Sequence, residues 1–190
     1  LRIEASDPEL YRKLHPEGHS YERRLECLRE LQDLGYQTGT GVMIGLPFQS
    51  LDNLVHDLRF FQEMNIDMIG MGPYLVHPQT PLADAAPGFD VRRQERLELG
   101  LKMIACARIL LKDVNIASTT ALQALSAEGR QLGLLAGANV VMPNVTDTRY
   151  RVSYQLYAGK PGLNENSKQS RKSLEEAILA IGEKVGYGET

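Results

Sequence analysis

The sequence predicts an α/β fold in which helices cover a parallel sheet, and it favours part of a (β/α) barrel. Five short stretches, "LRIEA", "GTGVMIG", "IDMIGMGPYLV", "VNIAST" and "ANVVMP", are almost continuously apolar, as strands buried on both faces are. Helical periodicity fills the intervals between them, and that alternation is the signature of βα units. An open doubly wound sheet would show the same alternation. Glycines crowded at the strand ends, and a chain that begins inside a strand, favour the barrel. Neither a GxGxxG fingerprint nor a P-loop GxxxxGK[ST] occurs.

In chain order, the first strand leads to "SDPELYRKL", where Ser6 or Asp7 can cap and Pro8 can open a short helix. "SYERRLECLRELQDLGY" is an amphipathic helix with Leu25, Leu28, Leu31 and Leu34 on one side and Gly35 at its end. The second strand is "QTGTGVMIGLP". "SLDNLVHDLRFFQEMN" follows as a helix capped by Ser50, and the third strand then runs into the loop "HPQTPLADAAPGFD". A long helix spans "VRRQERLELGLKMIACARILLK", and "VNIASTTAL" is the fourth strand. "SAEGRQLGLLAGA" is a helix and "ANVVMPNV" the fifth strand. The tail carries "RYRVSYQLYAGKPG" and a last amphipathic helix, "SLEEAILAIGEKVGY".

The bulk composition excludes several classes. A chain of 190 residues, 43% hydrophobic and 24% charged, with a net charge of −3, is an ordinary globular chain with no basic surface for nucleic acid or anionic membrane. No apolar run approaches the roughly 18 residues of a membrane span. The two cysteines, Cys27 and Cys106, fall in separate helical stretches. They form neither a disulfide framework nor a CxxC-type metal site, and they suit a reducing cytoplasm.

In a barrel the chemistry sits at the C-terminal ends of the strands. Those ends supply Arg2 and Glu4, Met43 and Gly45, Met71, Gly72, Pro73 and His77, Thr119 and Thr120, and Met142 and Asn144; the tail adds Tyr154 and Tyr157. The set holds no Ser-His-Asp arrangement, no paired glycosidase carboxylates and no strand-end lysine for a Schiff base. It suits a cradle for a polar cofactor and a small anionic substrate. Plainer readings stand beside this one. Arg2 and Glu4 make an ordinary surface pair if their face meets water, the threonines are good strand formers, methionines fill cores, and His77 before Pro78 is a loop residue.

The stretches "LRIEASDPELYRKLHP", "YERRLECLRELQDLGYQTGTGVMIGLPFQS", "DMIGMGPYLVHPQTPLA", "NIASTTAL" and "GANVVMPNVT…YRVSYQLYAGK" occur in this order over residues 1 to about 162. Together they resemble the radical S-adenosylmethionine enzymes related to biotin synthase, above all the branch that matures [FeFe] hydrogenases. Methylornithine synthase and biotin synthase itself are the neighbouring members. The resemblance implies a (β/α)₈ TIM barrel of which this chain is the C-terminal part, about strands four to eight. Residues 1–162 would form the partial barrel, and 163–190 a polar segment and amphipathic helix.

The family's CxxxCxxC motif, whose thiolates hold a [4Fe–4S] cluster, is missing here. The cluster ligands are therefore expected outside this chain, which alone would be inactive. The region after "YAGK" also lacks the cysteines of an auxiliary cluster.

The resemblance implies that Glu4 binds the ribose hydroxyls of S-adenosylmethionine and that Arg24 pairs with its carboxylate, with Arg23 one residue away as the competitor. Met43, Gly45, Met68, Gly72 and Pro73 would complete the cofactor pocket. Arg2 would point into the barrel toward the substrate, with Thr119, Thr120, Met142, Tyr154 and Tyr157 lining the same space. The implied chemistry is hydrogenase H-cluster maturation. A reduced cluster cleaves S-adenosylmethionine to a 5′-deoxyadenosyl radical that acts on a small anionic iron-containing molecule supplied by another maturation protein. The contrasting expectations are a methylornithine synthase or biotin synthase-like radical S-adenosylmethionine enzyme with a different organic substrate, and a truncated half-barrel that is inert or binds a partner.

Overall fold

The computed structural model describes residues 1–85, 92–151, 153, 162 and 165–186. The first strand stretch contributes a parallel bridge between Glu4 and Val42. Glu4 N–H donates to Gly41 O at 2.9 Å, and Met43 N–H to Glu4 O at 3.0 Å. Helix α1 (Pro8–Leu14) follows, with Asp7 as its cap, the carboxylate accepting from Leu10 N–H at 2.7 Å. Helix α2 (Tyr21–Asp33) starts at the Ser20 cap.

Strands β1 (Gly39–Thr40) and β2 (Met43–Ile44) flank Val42, and α3 (Leu51–Glu63) begins at Ser50 in a reciprocal capping box with Asn53. Strands β3 (Met68–Ile69) and β4 (Gly72–Pro73) precede a 3₁₀ turn at Pro81–Ala83, and α4 (Arg93–Leu111) leads to β5 (Asn115–Ile116). Helices α5 (Thr120–Leu125) and α6 (Gly129–Leu135) precede a bridge of Val140 to Ala117. The short α7 (Thr148–Arg151) and then α8 (Ser167–Ala180) complete the described elements.

All these pairings are parallel, and each strand lies beside its neighbours in the chain: Glu4 with Val42, β1 with β3, β2 with β4, β3 with β5, and Ala117 with Val140. A doubly wound sheet reverses its strand order at a switch point. No reversal occurs among the described strands. The sequential order is that of consecutive βα units in a barrel wall.

The core lies between sheet and helices. Ile3, Val42, Ile44, Ile69 and Ile116 from the strands meet Leu28, Leu54, Phe61, Ile104 and Leu122 from the helices. Burying each such side chain contributes about 1.5–3 kcal/mol. Ile3 is fully buried in that layer, so period-two alternation turns Arg2 and Glu4 to the opposite face of the sheet.

Several local expectations change. The strands are far shorter than the apolar stretches, and the expected strand "VNIASTTAL" breaks after Ser118, where Thr119 and Thr120 open α5 instead. The Thr119 hydroxyl donates to Met71 O at 3.4 Å, across to the neighbouring strand, and the chain turns out of the sheet there. Leu34 leaves the apolar stripe of α2 because it occupies the C-cap, and it is exposed. Ser6 is not a cap. Helix α8 starts earlier than its apolar periodicity suggests, at an Asn166–Gln169 capping box, and it ends before Gly182.

Candidate functional site

The C-terminal ends of the strands enclose a cavity of about 360 Å³. Arg2, Met43, Gly72 and Pro73 reach it from the strands, Thr119 and Thr120 from the start of α5, and Met142 from beyond the last strand. Gly72 is needed at its position, since a Cβ there would collide with Thr119 Oγ1. Ser118, Leu75, Ala121 and Arg130 line the cavity too, and none of the four was singled out in the sequence. For Arg130 a signal existed: glycines at 129 and 133 mark a helix packed closely against its neighbours.

Arg2 crosses the inner face of the sheet. Its Nη2 donates to Val42 O at 3.2 Å, and its Nη1 lies 3.9 Å from where a Cβ on Gly70 would stand. Its Nε is 3.4 Å from Glu4 Oε1. One residue thus reaches from the first strand over the second to the third.

Glu4 stands outside the cavity lining, joined to it through Arg2. Two features set it apart. Its φ is 67°, a left-handed conformation that a non-glycine residue adopts only when its surroundings impose it. Its Oε2 is buried and has no hydrogen-bond partner, a costly state for a carboxylate oxygen.

Arg24 and Arg23 diverge. Arg24 Nη1 donates to Arg2 O at 2.6 Å, with its guanidinium 5.9 Å from the Tyr11 ring centroid. Arg23 turns away to Glu26 and Glu30 at 2.6 and 3.2 Å.

Two expected pocket residues lie elsewhere. Gly45, at φ 77°, donates its N–H to Gln49 Oε1 at 2.6 Å and faces the Arg96 side chain rather than the cavity. Met68 is in register with Gly39 and Asn115 at the entrance of its strand, four residues before Gly72. That places it at the far end of the sheet from the cavity. Met71 is fully buried core. His77 closes its own turn, Nδ1 accepting from Gln79 N–H at 3.2 Å. Tyr154 and Tyr157 fall outside the described residues.

A cluster of Ser6, His56 and Asp57 was not foreseen. Asp57 Oδ1 accepts from Ser6 N–H at 2.9 Å and from the Ser6 hydroxyl at 2.5 Å; His56 Nδ1 lies 2.8 Å from that hydroxyl. The residue types are those of a hydrolase triad, but the roles are not. The serine is fully buried and gives its proton to the carboxylate instead of to an imidazole base. Burial pushes the Asp57 carboxyl up to about 6, against the lowering effect of the Ser6 hydrogen bonds. The cluster ties the end of the first strand to α3.

Among the described residues no group of three His, Cys, Asp or Glu is arranged to hold a metal ion, and no helix is long and apolar enough to cross a membrane.

No protein-family model matches the chain. Two curated proteins are similar to it. The [FeFe] hydrogenase maturase subunit HydE of Thermotoga maritima is 46% identical over 186 residues, 98% of this chain and 51% of that protein. The biotin synthase of Zymomonas mobilis is 33% identical over 135 residues, 65% of this chain and 35% of that protein. The chain spans about half the length of the first relative and about a third of the second.

Proposed function

We infer from its kinship with the radical S-adenosylmethionine enzymes of the biotin synthase-like group, to which this chain is related in sequence, that it forms the cofactor- and substrate-holding part of such an enzyme in [FeFe]-hydrogenase maturation. On this reading residues 1–162 are about strands four to eight of the barrel, the rest of which lies outside this chain.

Enzymes of this family use S-adenosylmethionine and a [4Fe–4S] cluster. The residues present fit the first: Glu4 holds a buried, unpartnered carboxylate oxygen, the acceptor that ribose hydroxyls require. Arg24 is the guanidinium directed at that strand, suited to a bidentate carboxylate. They do not fit the second, because two cysteines in separate helices cannot supply three thiolates. With S-adenosylmethionine bound, a reduced cluster held outside this chain would supply the one electron that cleaves it to methionine and a carbon-centred radical acting on the substrate. This chain's part is to bind, orient and exclude water.

The observation that carries the reading is Arg2, a fixed cation on the inner face at the cavity wall. Its Nε pairs with Glu4 Oε1 at 3.4 Å and 43% of its side chain is exposed, and the guanidinium N–H groups left over can meet a small anionic substrate in the cavity; for the maturase branch this would be the iron-containing precursor. Arg2→Leu in the cluster-loaded enzyme is expected to abolish product formation while S-adenosylmethionine binding, measured by calorimetry, survives. Undiminished turnover would overturn the assignment. Arg24→Ala is expected to weaken cofactor binding about tenfold, and Arg23→Ala to leave it unchanged; the reverse pattern would make Arg23 the cofactor arginine.

A further inference from the structure

Every polar group of Ser6 is held by a side chain from a helix. Its N–H donates to Asp57 Oδ1 at 2.9 Å and its hydroxyl to the same oxygen at 2.5 Å. The hydroxyl has a single proton, so His56 Nδ1, 2.8 Å away, is left to donate to the Ser6 oxygen. The Ser6 carbonyl accepts from the Tyr21 hydroxyl at 2.8 Å. Side chains of α2 and α3 thus fix one residue, which is itself fully buried.

Ser6 stands two residues after Glu4, whose backbone is left-handed at φ 67°. Such a conformation persists in a non-glycine residue only where its neighbours leave it no alternative. On the other side of Glu4, Ile3 N–H donates to Thr40 Oγ1 at 3.0 Å. Only Glu4 and Ala5 lie between these two anchors, and Ala5 is fully buried.

Asp57 is the principal holder, since one of its oxygens accepts both the N–H and the hydroxyl of Ser6. It is buried, and its Oδ2 has no hydrogen-bond partner. A carboxylate is a costly way to fill the space beneath α3. What it provides there is the double acceptor that fastens Ser6.

We propose that Asp57 is a positioning residue for the cofactor: by clasping Ser6 it holds Glu4 in its left-handed conformation, with Oε2 buried and unpartnered for the ribose hydroxyls, a role that rests on the assignment of Glu4 to the ribose made above. Asp57 does not line the substrate cavity and acts only through the backbone. Without the clasp, Glu4 is free to relax toward the extended region that non-glycine residues prefer, and its carboxylate moves with it.

Two probes separate positioning from folding: S-adenosylhomocysteine and its 2′,3′-dideoxyribose counterpart, which lacks the hydroxyls that Glu4 would accept. Their dissociation constants for the cluster-loaded enzyme are measured by calorimetry, and the ratio of the two is compared among variants. The unaltered enzyme is expected to favour the hydroxylated probe about tenfold, and Glu4→Ala to abolish that preference. Asp57→Ala should reduce the preference to about twofold. Asp57→Asn, which keeps an acceptor for Ser6, should retain it. A folding defect weakens both probes alike and leaves their ratio unchanged. Ser6→Ala, which removes the hydroxyl and keeps the N–H, should reduce the ratio about threefold, and it serves if Asp57→Ala does not fold. A preference lost in Glu4→Ala but intact in Asp57→Ala and Ser6→Ala overturns the positioning role and leaves Glu4 as the ribose ligand. A loss in Asp57→Asn as large as in Asp57→Ala overturns it too, because the acceptor would then be irrelevant. A preference untouched by Glu4→Ala overturns the assignment of Glu4 itself, and this role with it.

Discussion

Asp57 is a carboxylate on the buried side of α3, 1% exposed, with Ser6 donating to it and the His56 and Tyr21 side chains beside Ser6. Burial raises its carboxyl from 3.8 to about 6; the His56 charge opposes the shift and that of Asp7 adds to it. The folded state therefore holds this proton more tightly than the unfolded chain does. Stability falls as pH rises from 3.8 to about 6 and is level above that window. The loss amounts to about 2–3 kcal/mol. Asp57→Asn keeps an acceptor for Ser6 and removes the titration, so it is expected to be the more stable protein at pH 7 and level across the window. Urea melts of both proteins between pH 4 and pH 7 decide it; parallel curves would mean that burial does not raise the Asp57 carboxyl.

At this scale the sequence was legible where a period carried the information. Alternation alone put Arg2 and Glu4 on one face. It could not tell which way Arg23 and Arg24 point, which needed the helix to be docked. Nor could it foresee Ser6, His56 and Asp57 meeting, because about 50 residues separate the partners.

The helices followed their sequence signals closely, since caps and apolar spacing are local. Asp7, Ser20 and Ser50 each accept from a backbone N–H in the first turn of their helix, where removing a cap costs about 1 kcal/mol. The strands did not, since strand limits are set by where a neighbour stops pairing. "VNIASTTAL" reads as one strand until Thr119 is seen bonding to Met71 O and α5 starting beside it. The junction of β4 and α5 depends on the absence of a side chain at residue 72. Gly72→Ala is expected to destabilise the protein by about 1–3 kcal/mol through that overlap, read as a lower urea midpoint at unchanged slope. A neutral outcome would show that Thr119 can swing away without cost.

Over the whole molecule, the parallel alternation was legible, and the sequential strand order, which no periodicity encodes, is consistent with part of a barrel wall. Among the described residues the strand holding Glu4 and the one holding Val140 are each paired on one side only. Unpaired edges invite other chains. Sedimentation velocity is expected to show association that grows with protein concentration; a monodisperse monomer throughout would mean that both edges are covered.

Strand order also bears on how the sheet assembles. Its pairings join residues separated by twenty-three positions (117 with 140) up to forty-seven (68 with 115). Because closure entropy grows only logarithmically, a twofold difference in span alters the cost by about 0.6 kcal/mol. The spans therefore make no junction much harder to close than another. Each βα segment can add to its predecessor as soon as both are synthesised, so this stretch can assemble segment by segment as it leaves the ribosome.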